Sequence, residues 1–281
     1  MAQKKNKKGK EKMSALKKLK VGFYGITGCA GCQLSVIFNE DEIMDMLGLV
    51  DVHAFPFIKE ENLEEEFDLV FMEGMVADNE DLKKLKKVRA HTKKLVALGA
   101  CAHTGCIPAY RFWTLKENYA HLLYEKQEHI KDLDPSPVDK HVIVDYTIPG
   151  CPPDKDEIKN FIKAFVQGKE PTAYNNPVCI ECRRNNNVCL LEIGKPCLGP
   201  ITKGGCNSVC VNGGLECWGC RGPSEDANIQ AHMDLLKKKG FSEEFVKKRM
   251  RSFVGLKHKP LDDWEAAQRG ATQPAPQGGH P

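Results

Sequence analysis

Eight cysteines fall within 42 residues, from Cys179 to Cys220, in the run CIEC-x6-C-x7-C-x8-C-x3-C-x6-CWGC. The surrounding stretch, residues 177 to 223, is dense in Gly, Pro and Asn and lacks regular apolar spacing, so it is not expected to build a normal hydrophobic core. Bound metal is the substitute open to such a segment, because ligation free energy becomes folding free energy. Five more cysteines, at 29, 32, 101, 106 and 151, bring the total to 13. In a reducing compartment that number disfavours structural disulfides and points to metal or redox sites.

The chain of 281 residues has room for one substantial domain and a smaller second one. With 41% hydrophobic and 28% charged residues its composition is that of an ordinary soluble protein, and no apolar run reaches the roughly 20 residues that span a bilayer. The N-terminus is basic but runs straight into a strand-like segment, without an apolar signal region, a cleavage site or a twin-arginine pair. A cytoplasmic protein is therefore expected. The formal charge of +3 hides an asymmetry: residues 1–20 hold nine lysines and one glutamate, which leaves the remainder at −5. The lysine run reads as a solvated, disordered tail, with binding to nucleic acid or an acidic partner as the alternative.

Residues 20–26 (KVGFYGI) read as a strand, followed by the loop TGCAGC and a helix from about Gln33 to Leu49. The pattern recurs as DVHAF, as FDLVFMEG before a helical stretch from Asn79 to Thr92, as KKLVALGA, and as HVIVDYTIPG before the helical DKDEIKNFIKAFVQG. Strands alternating with helices predict a parallel sheet, and strands with little polar alternation, such as LVFM and LVALG, predict that both faces are covered. This is the doubly wound α/β arrangement, whose ligands lie beyond the carboxyl ends of the strands. The loops TGCAGC, GACAHTGC and PGCPP each follow a strand, so Cys29, Cys32, Cys101 and Cys151 are expected on one rim. A flavin-binding reading of this half is disfavoured, because its phosphate loop would carry hydroxyl residues where this one carries cysteines. The final AATQPAPQGGHP is low in complexity and expected to be disordered.

Iron-sulfur cubes are held by four deprotonated cysteines, and a Cys-x-x-Cys loop presents two thiolates together while its amides point at the sulfurs. Besides the rim set, the C-terminal run divides most simply into Cys179, Cys182, Cys189, Cys197 and then Cys206, Cys210, Cys217, Cys220. Paired Cys-x-x-Cys elements also build zinc ribbons, which would suit a basic, nucleic-acid-binding protein, and spacing alone leaves both readings open.

The motifs GITGCAGCQLS, FMEG, GACAHTGC, IPGCPP and CLGPITKGGCNSVCVNGGLECWGCRGP resemble those of nickel-iron hydrogenase small subunits, over roughly residues 20 to 223. The likeness is to the cytoplasmic group 3 type, such as methanogen viologen-reducing and sulfhydrogenase small subunits. The similar subunit of NADH:quinone oxidoreductase has adjacent cysteines in its first motif, unlike Cys29-Ala30-Gly31-Cys32 here, and is the weaker match. The resemblance implies a flavodoxin-like doubly wound parallel sheet over 20–170 with the proximal cluster, then a loop-rich iron-sulfur cluster domain over 171–225. A basic tail (1–19) and a helical tail with a disordered C-terminus (226–281) flank them.

By the same resemblance, Cys29, Cys32, Cys101 and Cys151 would hold a proximal [4Fe-4S] cluster, with Pro152 and Pro153 fixing the loop after the last ligand. Cys206, Cys210, Cys217 and Cys220 would hold a medial cluster, and Cys179, Cys182, Cys189 and Cys197 a distal one. The chain would then be an electron-transfer subunit with no catalytic residues, partnered by a nickel-bearing large subunit. A further acceptor would follow: a ferredoxin, a flavoprotein or a heterodisulfide-reductase module.

Gly28 and Ala30 stand where relatives carry a carboxylate and a hydroxyl proposed to relay protons. Cys106 occupies a position that some oxygen-tolerant relatives fill with an extra cysteine, but their second extra position is Gly31 here, so a plain buried or free thiol is expected. Glu73 resembles an acidic residue beside the proximal cluster, with a supporting role ranked above ligation. His103 is expected either to donate to a cluster sulfur or to sit in the subunit interface, and Trp218 to pack over the medial cluster. His53, His91, His121, His129 and His141 lack ligand spacing.

Overall fold

A computed structural model describes residues 18–38, 43–58, 66–109, 125–126 and 133–257. The lysine tail, the low-complexity C-terminus, His121 and His129 lie outside them. Five parallel strands, β1 (Lys20–Gly25), β2 (Asp51–Ala54), β3 (Phe67–Glu73), β4 (Thr92–Leu98) and β5 (Tyr146–Ile148), form one sheet in the order β2-β1-β3-β4-β5. This is the flavodoxin-like order, and the direction of winding reverses between β1 and β3. The expected doubly wound α/β sheet is present.

Helices cover both faces because successive strand residues point opposite ways. Phe23 and Phe71 stack at 4.8 Å between centroids on one face, beneath Val36, Ile158 and Ile162. Tyr24, Val70 and Met72 face the other way, against Leu85 and Val88. Gly22 is required in the middle of β1, since a side chain there would meet the Tyr24 ring at 2.9 Å and the Phe67 ring at 3.0 Å.

The helix expected over 33–49 is replaced by α1 (Gly31–Ile37) and α2 (Ile43–Gly48). Helix α3 (Asn79–Ala90) begins at Asp78, whose carboxylate accepts from the amides of Glu80 and Asp81. After β4 comes the short α4 (Gly99–Thr104), and after β5 comes α5 (Lys155–Val166), capped by Asp154 through Asp156 and Glu157. The strand expected over HVIVDYTIPG shrinks to Tyr146–Ile148. His141 still closes a 3-10 turn over Val138–Lys140, and the Asp145 side chain takes the Leu95 amide at 2.9 Å, so the ladder starts one residue later.

The cysteine-rich region carries α6 (Val178–Arg184) and the one-turn α7 (Val209–Asn212), followed by α8 (Ile229–Lys238) and α9 (Glu243–Val254). It does possess a hydrophobic core. Leu190, Leu191, Leu198, Ile201 and Val211 supply half, and Ile229, Met233, Leu236, Val246 and Met250 of α8 and α9 supply the rest. The two C-terminal helices therefore belong structurally with the cysteine-rich region. Leu236 is fully buried, so Leu236→Ala is expected to cost about 2–5 kcal/mol by denaturant titration. A loss below about 0.5 kcal/mol, the range of surface substitutions, would contradict this core. No helix among the described residues is long and apolar enough to cross a membrane.

Candidate metal centres

The loops after β1, β4 and β5 bring Cys29, Cys32, Cys101 and Cys151 to the carboxyl rim of the sheet. Cys32 opens α1, whose N-cap, Ala30, has no side chain able to cap it and adopts a left-handed φ of 63°. Glu73, at the end of neighbouring β3, does the capping instead. Its two carboxylate oxygens accept from the amides of Cys32 and Gln33, each at 3.0 Å. Both oxygens thus accept from the backbone and support the start of α1.

Burial pushes the Cys32 thiol far up, and the negative charges of Glu73, Cys101 and Cys151 push it further. Such a thiol ionises when metal replaces its proton. Cys29 is exposed on the same loop, its sulfur beside Gly31. The backbone is fitted closely to these sulfurs: a Cβ on Gly99 would lie 2.2 Å from Cys32 Sγ.

Cys106 is buried, as expected of a plain thiol, but it lies among the rim cysteines. It is within hydrogen-bonding range of Cys101 and Cys151, and its hydrogen bond is the largest influence pulling Cys151 down to about 7. The Cys151-Pro152 peptide is cis, and Gly150, at φ 132°, has Pro153 packed where a side chain would stand.

In the second region, burial raises Cys179 to about 12, assisted by Cys197, Cys182 and Cys189 around it. Gly199 lets the chain pass close, since a Cβ there would sit 3.3 Å from Cys179 Sγ and 3.5 Å from Cys197 Sγ. Cys206, Cys210, Cys217 and Cys220 all line one cavity of about 830 Å³, shared with Cys151, Pro152, Trp218 and Phe253. Among the described residues no three cysteine, histidine or acidic side chains close in tightly enough for a single metal ion. Cys206, Cys210, Cys217 and Cys220 instead line a larger space, and at the other two sets Gly99 and Gly199 let the backbone approach the cysteine sulfurs closely.

Two contacts join the sets end to end. The Cys151 amide donates to the Cys220 sulfur, and the Cys217 amide donates to Cys197 Sγ at 3.3 Å. Asn185 and Asn187 tie the loops of Cys182 and Cys206 together, through Asn207, Ser208 and Asn212.

Three further residues were not singled out from sequence in these roles. Arg221 is 1% exposed and links the cysteine-rich region to the β5–α5 segment, donating to Gly204 O (2.6 Å) and Pro149 O (2.8 Å) and pairing in a fork with Glu157 at 2.7 and 2.8 Å. Arg249 stacks 3.2 Å from the Trp218 ring centre and reaches Cys217 O and Glu216, both at 3.3 Å. Lys257 pairs with Asp139 and lies 3.4 Å from His103 Nδ1. His103 packs close to Gly222, where burial and Lys257 hold its pKa down at about 4. His53, His91 and His141 bond to Asp51, Lys87 O and Ser136 respectively.

Residues 29–165 match the family described as NADH ubiquinone oxidoreductase, 20 Kd subunit. The chain is 37% identical to the sulfhydrogenase 2 subunit delta of Pyrococcus furiosus, across 84% of this chain and 99% of that one. It is 30% identical to a vhu-type subunit of the F420-non-reducing hydrogenase of Methanocaldococcus jannaschii, across 74% and 83% respectively. A solved NAD+-reducing [NiFe]-hydrogenase structure superposes with a TM-score of 0.51 at 27% identity, covering 56% of this chain and 95% of that chain. The hydrogenase relatives extend well beyond the sheet domain to which the oxidoreductase match is confined. The quinone-reductase and zinc-binding alternatives are accordingly not favoured.

Proposed function

Because this chain belongs to the nickel-iron hydrogenase small-subunit family, we propose that it is the complex's electron relay, holding three [4Fe-4S] clusters and cleaving no dihydrogen itself. When bound, the clusters would supply one-electron storage between a partner's nickel-iron site and an external acceptor. The observation that supports this reading is the pair of contacts between neighbouring cysteine sets, Cys151 to Cys220 and Cys217 to Cys197.

The chain's own contribution is to fix positions and exclude water. Cys29, Cys32, Cys101 and Cys151 would hold the proximal cluster, with Glu73 setting where Cys32 stands and Pro152 and Pro153 shaping the exit of the Cys151 loop. Cys206, Cys210, Cys217 and Cys220 would hold the medial cluster, and Cys179, Cys182, Cys189 and Cys197 the distal one. The cavity at the medial set is lined mainly by apolar surface, which matters because the surroundings of the sulfurs set cluster potentials. The partners would be a nickel-bearing large subunit over the proximal rim and an acceptor protein near the distal set, in the cytoplasm.

The test separates relay from catalysis. In the assembled complex, Cys182→Ser is expected to lower dihydrogen-driven acceptor reduction by roughly tenfold or more, about 1.4 kcal/mol of barrier. Dihydrogen-deuterium exchange at the partner should be unchanged. Loss of exchange in step with acceptor reduction would assign this chain a part in the chemistry and contradict the relay.

A further inference from the structure

Arg221 is the largest fully buried side chain among the described residues, and its charge lies between two of the cysteine sets. It follows Cys220 directly in the chain. Its Nε donates to Gly204 O, two residues before Cys206, and a Cβ on Gly205 would meet Nη2 at 2.6 Å. Nη1 donates to Pro149 O, two residues before Cys151, and both terminal nitrogens engage Glu157 of α5.

The guanidinium is therefore held by the backbone leading into Cys206 and Cys151 and by the backbone leaving Cys220. A structural link alone does not require this group. A buried cation is expensive to desolvate, and well-packed apolar side chains often replace buried ion pairs without loss.

We infer that Arg221 is the residue that raises the reduction potential of the medial cluster, by placing a fixed positive charge beside the sulfurs of Cys206 and Cys220, with Glu157 as the opposing charge that sets how much of it is felt. The inference rests on the relay reading above. Adding an electron makes a cluster more negative, so a neighbouring cation stabilises the reduced form, and burial leaves that attraction weakly screened. Arg221 would thus act as a positioning and tuning residue, touching no substrate.

The test is redox-titrated EPR of the whole hydrogenase complex, with the medial signal identified as the one altered in Cys210→Ser. Arg221→Met is expected to lower the medial potential enough to change the oxidised-to-reduced ratio about tenfold, roughly 59 mV for one electron. Glu157→Gln keeps the cation and removes its counter-charge, so it should move the potential the opposite way. Arg221→Lys, retaining charge without the fork, should stay near wild type.

Opposite shifts support the inference. Shifts of the same sign, or less than about a threefold change in that ratio in both variants, overturn it, since a purely structural link would loosen the site alike in each. If Arg221→Met does not assemble, Glu157→Gln decides alone: a raised potential supports the role, and an unchanged or lowered one overturns it. A wild-type complex with no medial signal sinks the relay reading itself, whereas a normal signal indifferent to these substitutions sinks only the role of Arg221.

Discussion

Gly99→Ala should strip the proximal centre from the protein while leaving the two other cysteine sets loaded. Gly99 sits at φ +87°, where an L side chain is strained, and its Cβ would lie 2.2 Å from Cys32 Sγ and 3.4 Å from Gly150 O. Neither neighbour can easily give way. Cys32 is fixed through its amide to Glu73, and Gly150 O accepts from Ala100 N at 2.7 Å. The left-handed conformation alone costs about 1–2 kcal/mol for alanine.

The expected result is a complex short of about four irons. Acceptor reduction should fall on the order of a hundredfold, the scale that misplacement by about 1 Å produces at a reacting centre. Gly199→Ala should be milder, because its Cβ would stand 3.3 Å from Cys179 Sγ and its backbone is unstrained. A Gly99→Ala complex with full iron and full turnover would show that the β4 loop does not pack on Cys32 as described.

The second large effect is expected at Glu73. Its carboxylate, 3% exposed, serves two amides at the start of α1. Glu73→Leu leaves both amides buried without an acceptor. Hydrogen bonds to a charged group contribute about 1.5–3 kcal/mol each, so the pair is expected to cost about 3–6 kcal/mol, read by thermal or denaturant unfolding of the complex. Glu73→Gln keeps one good acceptor and should lose about half as much. If Glu73 instead ligated iron, Glu73→Gln would alter the proximal EPR signal while hardly changing stability.

The rim cysteines were legible in the sequence because a parallel sheet gathers every strand-to-helix loop at one edge, however far apart the loops lie in the chain. That rule needs only the order of elements, and TGCAGC, GACAHTGC and PGCPP each followed an apolar strand pattern. The start of α1 was not legible in the same way. Its cap comes from Glu73, more than 40 residues downstream of Ala30 and on another strand, where no local signal reveals it.

The second core was missed for a related reason. Leu190, Leu198 and Val211 have no periodicity of their own, and they make a core only once the amphipathic faces of α8 and α9 close over them. Arg221 looked like one charge in a Gly- and Pro-rich loop. Its burial depends on Glu157, 64 residues away, and on two carbonyls that only the folded chain presents. Cys106 illustrates another limit: the family resemblance leaves it a plain thiol, and only the fold shows that the turn after α4 returns it to Cys101 and Cys151.

The most direct measurement of the central claim is the iron, zinc and acid-labile sulfide content of the anaerobically purified complex, with EPR after dithionite reduction. The account predicts about twelve irons and twelve sulfides per copy of this chain, after the partners' iron is subtracted. About four would leave only the rim set loaded and contradict a three-cluster relay, and zinc without sulfide would remove the electron-transfer reading altogether.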